Sequence, residues 1–216
     1  MMRLSIATYL KNKLKLMLEE ILRIDTELFL YLNNLGTSSF DAFWSFLSRK
    51  EANIAVYLSG ILFFLKNKGF KSYKIKSLDV FYIFSIVLVM ILISDQSANI
   101  FKDSLQRLRP CYDELIKDSV RLVKEGCGGK YGFFSAHASN SFSLAVFFGL
   151  LFKDFSKYPI YFTLIFASLI SYSRVYLGVH YPLDIIFGAL FGMINGLVIY
   201  SVHERILKSF NLFNKS

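Results

Sequence analysis

Five stretches of this chain are apolar over long distances, roughly residues 52–66, 78–101, 134–153, 158–174 and 183–201. A helix crossing the hydrocarbon core of a bilayer needs about 20 such residues, so each stretch is read as a membrane span. The runs at 52–66 and 158–174 are short, and flanking residues such as Lys66 and Tyr158 must snorkel outward to complete them. The run at 134–153 opens with polar residues, which sets its first turns against protein or water rather than lipid. The stretch from Leu14 to Leu32 differs in kind. It mixes Leu, Ile and Phe with Glu19, Glu20, Arg23, Asp25 and Glu27, the pattern of a helix lying in the membrane interface. The expected architecture is an all-α, polytopic membrane helix bundle. It has about five transmembrane helices and an N-terminal amphipathic helix within an interfacial segment, residues 1–50. A sixth crossing within residues 28–47 is the alternative, at the cost of burying Asp41 and two asparagines. No linker, internal repeat or low-complexity segment interrupts the chain, so residues 1–216 are read as a single membrane-embedded domain.

Composition agrees with that pattern. Only 19% of residues are charged, against about 25% in ordinary soluble domains, and the deficit lies in the long apolar runs. A net charge of +9 raises nucleic acid as a partner. No basic stripe interleaved with aromatics occurs in any water-facing stretch, which argues against it. Lysines of membrane proteins gather in cytoplasmic loops instead. Residues 66–77 carry Lys66, Lys68, Lys71, Lys74 and Lys76 without an acid. With five alternating helices this loop shares a side with Lys153, Lys157, Arg205 and Lys208, and that side is assigned to the cytoplasm. Loop 102–133 and the turn 174–182 then face outward. The same count places the N-terminus outside, although Arg3, Lys11, Lys13 and Lys15 favour the inside; the sixth crossing would remove that conflict.

Three polar clusters fall on the outward face. The first runs from Lys102 to Arg109 and Pro110 at the end of the second span. On a continuing helix, residues seven apart are offset by only about 20°, so Lys102 and Arg109 share a face. The residue before a proline is biased out of the helix, which sets Arg109 where the helix ends. Two cations there suit an anion with several oxygens; snorkelling to lipid headgroups is the plainer explanation. The second cluster is Ser135, Ala136 and His137, opening the third span. Ser135 reads as an N-cap, and a helix N-terminus favours phosphate, although a histidine there can equally serve packing or capping. The third runs from Ser173 and Arg174 through His180 to Asp184. Pro182 suits a first helical turn. If that turn includes His180, the Asp184 carboxylate lies at i+4 and can reach the imidazole, the base–orienter arrangement of nucleophilic catalysis. The remaining histidine, His203, sits in the basic tail and is expected to be solvated.

Taken together, Lys102-x6-Arg109-Pro110, Ser135-Ala136-His137 and Ser173-Arg174-x5-His180-x3-Asp184 resemble the tripartite signature of the type-2 phosphatidic acid phosphatase superfamily. The first and third parts match fully. In the second, Phe134 stands where the family has proline and Ala136 where it has glycine; alanine still supplies a backbone N–H. The resemblance makes residues 102–184 the catalytic region of an integral-membrane lipid phosphatase of the small bacterial type. It implies that His180 attacks phosphorus to form a phosphohistidine, that Asp184 orients it, and that His137 is the general acid. Lys102, Arg109, Arg174, the Ser135 hydroxyl and the Ala136 amide would then hold the phosphate oxygens. It implies no metal and no cofactor, and the outer loops carry no metal-ligand spacing of His, Cys and carboxylates. The implied partners are the bilayer and a phosphorylated membrane lipid: lipid A, undecaprenyl diphosphate, phosphatidic acid or phosphatidylglycerol phosphate. The implied location is the bacterial inner (plasma) membrane, with the site on the periplasmic or extracytoplasmic side. A lipid-to-lipid phosphotransferase using the same histidine is the alternative. A catalytically silent lipid-binding protein would be expected to lack a core position, and none is missing.

Cys111 and Cys127 are the only cysteines and share the outer loop, where an oxidising compartment would join them in a disulfide; two packed free thiols are the other possibility. Gly128 and Gly129 mark a turn just beyond. Asp95, inside the second span, needs a partner: it either positions Lys102, seven residues on, or binds a neighbouring helix through Asn99 or Gln96.

Overall fold

A computed structural model describes residues 2–49, 77–123, 126–153 and 156–213. Within them the chain forms six α-helices: α1 (Met2–Asn34), α2 (Ser38–Leu47), α3 (Ser77–Leu105), α4 (Ala136–Leu151), α5 (Tyr158–Tyr176) and α6 (Pro182–Phe213). The expected crossing at 52–66 and the lysine-rich loop after it lie outside the described residues. Two helical segments, Phe81–Leu105 and Pro182–Ser209, are long and apolar enough to cross a bilayer, and α4 is a shorter apolar helix. Residues 28–47 are divided between the end of α1 and the ten-residue α2, so no single helix covers the alternative sixth crossing.

The helices alternate in direction, and this alternation assembles the site. The chain reaches one end of the bundle at the close of α3 and leaves it with α4. It returns along α5 and departs again with α6. All three polar clusters therefore occupy that end.

Small residues allow the central helices to approach. Gly188, Gly192 and Gly196 recur every fourth residue on α6, facing Ser135, Ser139 and Ser143 at the same spacing. A Cβ on Gly188 or Gly196 would lie 2.6 Å from the carbonyl oxygen of Ser135 or Ser143, and one on Gly192 would overlap that of Ser139. Close backbone approach through small residues at this spacing is the usual route to helix association without a hydrophobic driving force. The Asn195 side-chain amide reaches the Met90 carbonyl, Ser94 Oγ and Ser143 Oγ, each at 3.0 Å, and so ties α3, α4 and α6 together. Asp95 accepts from Asn140 Nδ2 of α4 at 2.8 Å, which is the helix-binding role with a partner other than Asn99 or Gln96. His203 is not solvated as expected. It is buried, stacked on Tyr82, with Nδ1 3.2 Å from the tyrosine hydroxyl.

The N-terminal helices pack at the site end. Asn33 of α1 donates to the carbonyls of Val175, Tyr176 and Arg121 and accepts from the Arg121 amide. Asp41 of α2 takes two bonds from Arg121, at 2.6 and 2.7 Å, and a third from the Tyr176 hydroxyl. Towards its start α1 leaves the bundle, with Leu10, Leu14, Met17, Ile21 and Ile24 exposed along one stripe.

Candidate active site

Each site residue arrives by a local device that its sequence explains. Helix α3 ends at Leu105, earlier than the continuing helix expected through Arg109, because Gln106 adopts the left-handed conformation at φ +49° and so caps the helix. The chain then runs extended. Leu108 bridges Tyr131, the Arg109 amide donates to the Lys130 carbonyl and the Gly132 amide to the Arg107 carbonyl. Arg109 is extended before Pro110, as its position demands. Its guanidinium donates to the Cys127 carbonyl at 2.6 Å and the Tyr131 carbonyl at 3.3 Å. Cys111 and Cys127 come together with Cα atoms 6.2 Å apart, within the range a disulfide spans. Gly128, at φ +77°, lies so close to the Arg109 guanidinium that a Cβ would sit 2.9 Å from it.

Ser135 caps α4, accepting from the Ala138 amide, and its own amide donates to the Asp184 carbonyl at 3.0 Å. That bond joins the start of α4 to the start of α6. Ala136 and His137 follow in the first turn of α4, both half-buried. Helix α5 closes at Tyr176 with Gly178 in the left-handed region, φ +79°, a glycine C-terminal cap. The turn it makes brings His180 back over the bundle end. Arg174, on the last turn of α5, is buried and bonds Ser48 Oγ, while its Nε has no hydrogen-bond partner.

His180 is not inside a helical turn, because α6 begins at Pro182. The contact with Asp184 forms anyway, and the reason is capping. Asp184 is the third residue of α6, and its Oδ2 accepts the Tyr181 amide at 3.1 Å, the reach-back of a capping box. The same oxygen lies 3.2 Å from His180 Nδ1. His180 and Asp184 are 2% and 0% exposed. Burial, with the charges of Arg109, Arg174 and Lys102 behind it, holds the His180 pKa well below the ordinary histidine value, and a backbone hydrogen bond with Gly132 opposes this only in part. A lowered pKa leaves the imidazole neutral at neutral pH. With Nδ1 turned to the carboxylate, Nε2 keeps its lone pair.

Four contributors escape the sequence pattern. Arg107 donates through Nη1 to Asp184 Oδ1 at 2.9 Å and through Nη2 to Asp25 Oδ2 at 2.5 Å. Asp25 belongs to α1. Ser48 supports Arg174. Gly132 lies against the pair itself, where a Cβ would sit 2.9 Å from Asp184 Oδ2 and 3.5 Å from His180 Nδ1. Only Arg107 carried a signal, as a third cation in the first cluster. Among the described residues no group of three or more His, Cys, Asp or Glu side chains could hold a metal ion.

A buried neutral histidine fixed by a carboxylate, under three cations and beside a helix N-terminus, defines a class of site: one suited to nucleophilic displacement at an anionic phosphorus centre. Comparisons with known proteins bear on the family. The PAP2 superfamily model matches residues 80–208. A lipid A 4'-phosphatase of Bacteroides thetaiotaomicron is 35% identical over 192 residues, covering 88% of this chain and 81% of the relative. One from Porphyromonas gingivalis is 35% identical over 187 residues, covering 86% and 75%. Among solved structures, Aquifex aeolicus LpxE superposes with a TM-score of 0.58 at 23% identity, over 81% of this chain and 93% of that one. A transmembrane PAP2-type phosphatidylglycerolphosphate phosphatase from Bacillus subtilis gives 0.61 at 16%, over 87% and 88%. At those identities the two structures speak for the fold alone. The chain belongs to the PAP2 superfamily and is a phosphatase.

Proposed function

We propose that this protein removes a phosphate from a membrane lipid, the 4'-phosphate of lipid A, at the outer face of the bacterial inner membrane through a phosphohistidine on His180. The observation that carries the reading is the buried His180–Asp184 pair beneath the charges of Lys102, Arg109 and Arg174. Two relatives bear the lipid A 4'-phosphatase name, which supports that substrate.

In the first step His180 Nε2 forms a bond to phosphorus as the bond to the sugar oxygen breaks, and His137 protonates that departing oxygen. Asp184 accepts from Nδ1 and stabilises the positive charge that develops on the ring. In the second step a water oxygen bonds phosphorus, the N–P bond breaks, and His137 takes the proton from water. Inorganic phosphate leaves. Lys102, Arg109, Arg174, the Ser135 hydroxyl and the Ala136 amide hold the remaining oxygens. Stabilising charge around phosphorus is most of what phosphoryl transfer asks of a protein, and three cations supply it here without a metal. A phosphate oxygen would also satisfy the buried Nε of Arg174. On this reading this end of the bundle lies outside, where a Cys111–Cys127 disulfide secures the loop that carries Arg109. The exposed apolar stripe of α1 lies along the same leaflet as the substrate's acyl chains.

The test is phosphate release by purified protein from lipid A, undecaprenyl diphosphate, phosphatidic acid and phosphatidylglycerol phosphate, with EDTA present and His180→Ala as control. Release from lipid A at its 4' position, lost in the variant, is expected. Preference for another lipid would correct the substrate, transfer of phosphate to a second lipid would make the protein a phosphotransferase, and strict dependence on added magnesium would defeat the metal-free scheme.

A further inference from the structure

We propose that Asp25 and Arg107 are positioning residues for the catalytic carboxylate, so that the N-terminal helix α1 completes the active site. The inference rests on the reading of His180 as nucleophile and extends it to residues outside the signature.

The Asp184 carboxylate is fully buried, and its two oxygens have different partners. Oδ2 serves His180 Nδ1 and the Tyr181 amide, and Oδ1 accepts from Arg107 Nη1. The rotation of that carboxylate decides where the imidazole points, so whatever fixes Oδ1 fixes the nucleophile. Arg107 does so, and the other arm of its guanidinium fork is held by Asp25 Oδ2. Asp25 Oδ1 in turn accepts the Leu183 amide at 2.8 Å, in the first turn of the helix that bears Asp184. A ring results: Asp25 to Arg107, Arg107 to Asp184, and back along α6 to Asp25. Its faces are closed by Tyr181, over whose ring the Arg107 guanidinium lies at 4.2 Å, and by Phe29 of α1, edge-on to Tyr181 at 5.3 Å.

The arrangement has two consequences. Arg107 is committed to two carboxylates, which separates it from Lys102, Arg109 and Arg174 and keeps it from competing for the phosphate. A lysine cannot replace it, since only a planar fork holds two carboxylates from fixed directions. Side-chain exposures of 2% for Asp25 and 18% for Arg107 show that water does little to screen the ring. Removal of one anchor therefore leaves Arg107 free to turn and Asp184 Oδ1 buried without its donor.

The test uses the full-length protein in detergent, with lipid A as substrate, and compares Asp25→Asn, Arg107→Lys, Arg107→Gln and the double variant Asp25→Asn/Arg107→Gln. Each single change is expected to lower kcat about tenfold, consistent with a sub-ångström loss of alignment, while KM stays within about twofold of wild type. The double variant is expected to be no worse than Arg107→Gln, because the two residues act through one contact. Arg107→Lys, which keeps the charge, is expected not to rescue. Wild-type kcat in folded Asp25→Asn, losses that multiply in the double variant, or a rise in KM at unchanged kcat would each overturn the proposal. Should one variant fail to fold, the others give the same readout. Retained turnover in His180→Ala would instead remove the nucleophile reading, so the two failures are distinguishable.

Discussion

Gly132→Ala places one methyl group against the His180–Asp184 pair. The added Cβ would lie 2.9 Å from Asp184 Oδ2, 3.2 Å from Arg109 Cγ and 3.5 Å from His180 Nδ1. Ordinary contact begins near 3.4 Å, so the carboxylate must yield by about half an ångström. It cannot do so freely, because Tyr181, His180 and Arg107 all hold it. Gly132 has no positive φ, so the effect comes from the contact and not from backbone strain. A misplacement of about 1 Å can cost on the order of a hundredfold in rate, and half of that corresponds to about tenfold in kcat. Overpacking of this kind also lowers stability by about 1–3 kcal/mol. Initial rates of phosphate release from detergent-dispersed lipid, alongside a thermal melt, read both quantities. A folded Gly132→Ala protein with wild-type kcat would refute the account of how the pair is held.

Further outcomes follow from the same geometry. Gly192→Ala drives a Cβ into the Ser139 carbonyl and is expected to lower stability by about 1–3 kcal/mol, read as an earlier thermal transition; an unchanged melt would contradict the α4–α6 packing. Replacing Cys111 and Cys127 together by serine opens a loop with a sequence separation of 16. A stability loss of about 3 kcal/mol is expected, with weaker substrate binding as the Cys127 carbonyl releases Arg109, and identical melts with and without reductant would oppose it. In a protein whose other histidines are replaced, His137→Gln and His203→Gln, 15N NMR should show His180 as the neutral Nδ1–H tautomer. Because burial and the three cations lower its pKa, protonation should begin only below the ordinary histidine range; titration at or above about 6.5 would contradict the environment described.

The residues gathered at one end of the bundle are legible in the sequence because they stand at the fixed intervals of the family signature. His180, Asp184, Arg174 and Lys102 needed only the alternation of helices to meet at one end. The manner of meeting was less legible. Asp184 reaches His180 as a helix cap and not across a helical turn, and Arg109 arrives on an extended segment because Gln106 ends α3 early. Asp25 lies on α1, 82 residues from its partner, a pairing that no local pattern marks. Gly132 shows nothing in sequence, since its importance is the absence of an atom. The four-residue spacing shared by Gly188, Gly192 and Gly196 with Ser135, Ser139 and Ser143 was present in the sequence and marks the α4–α6 contact. His203 looked solvated beside its charged neighbours and is buried because α3 offers Tyr82 to it.

The central claim is a covalent bond between phosphorus and His180. Wild-type protein mixed with lipid carrying radiolabelled phosphate, quenched in alkaline denaturant and digested, should yield one labelled peptide containing His180, with phosphate on Nε2. His180→Ala should yield none and release no phosphate. Label on another residue, or undiminished phosphate release by the variant, would contradict the account.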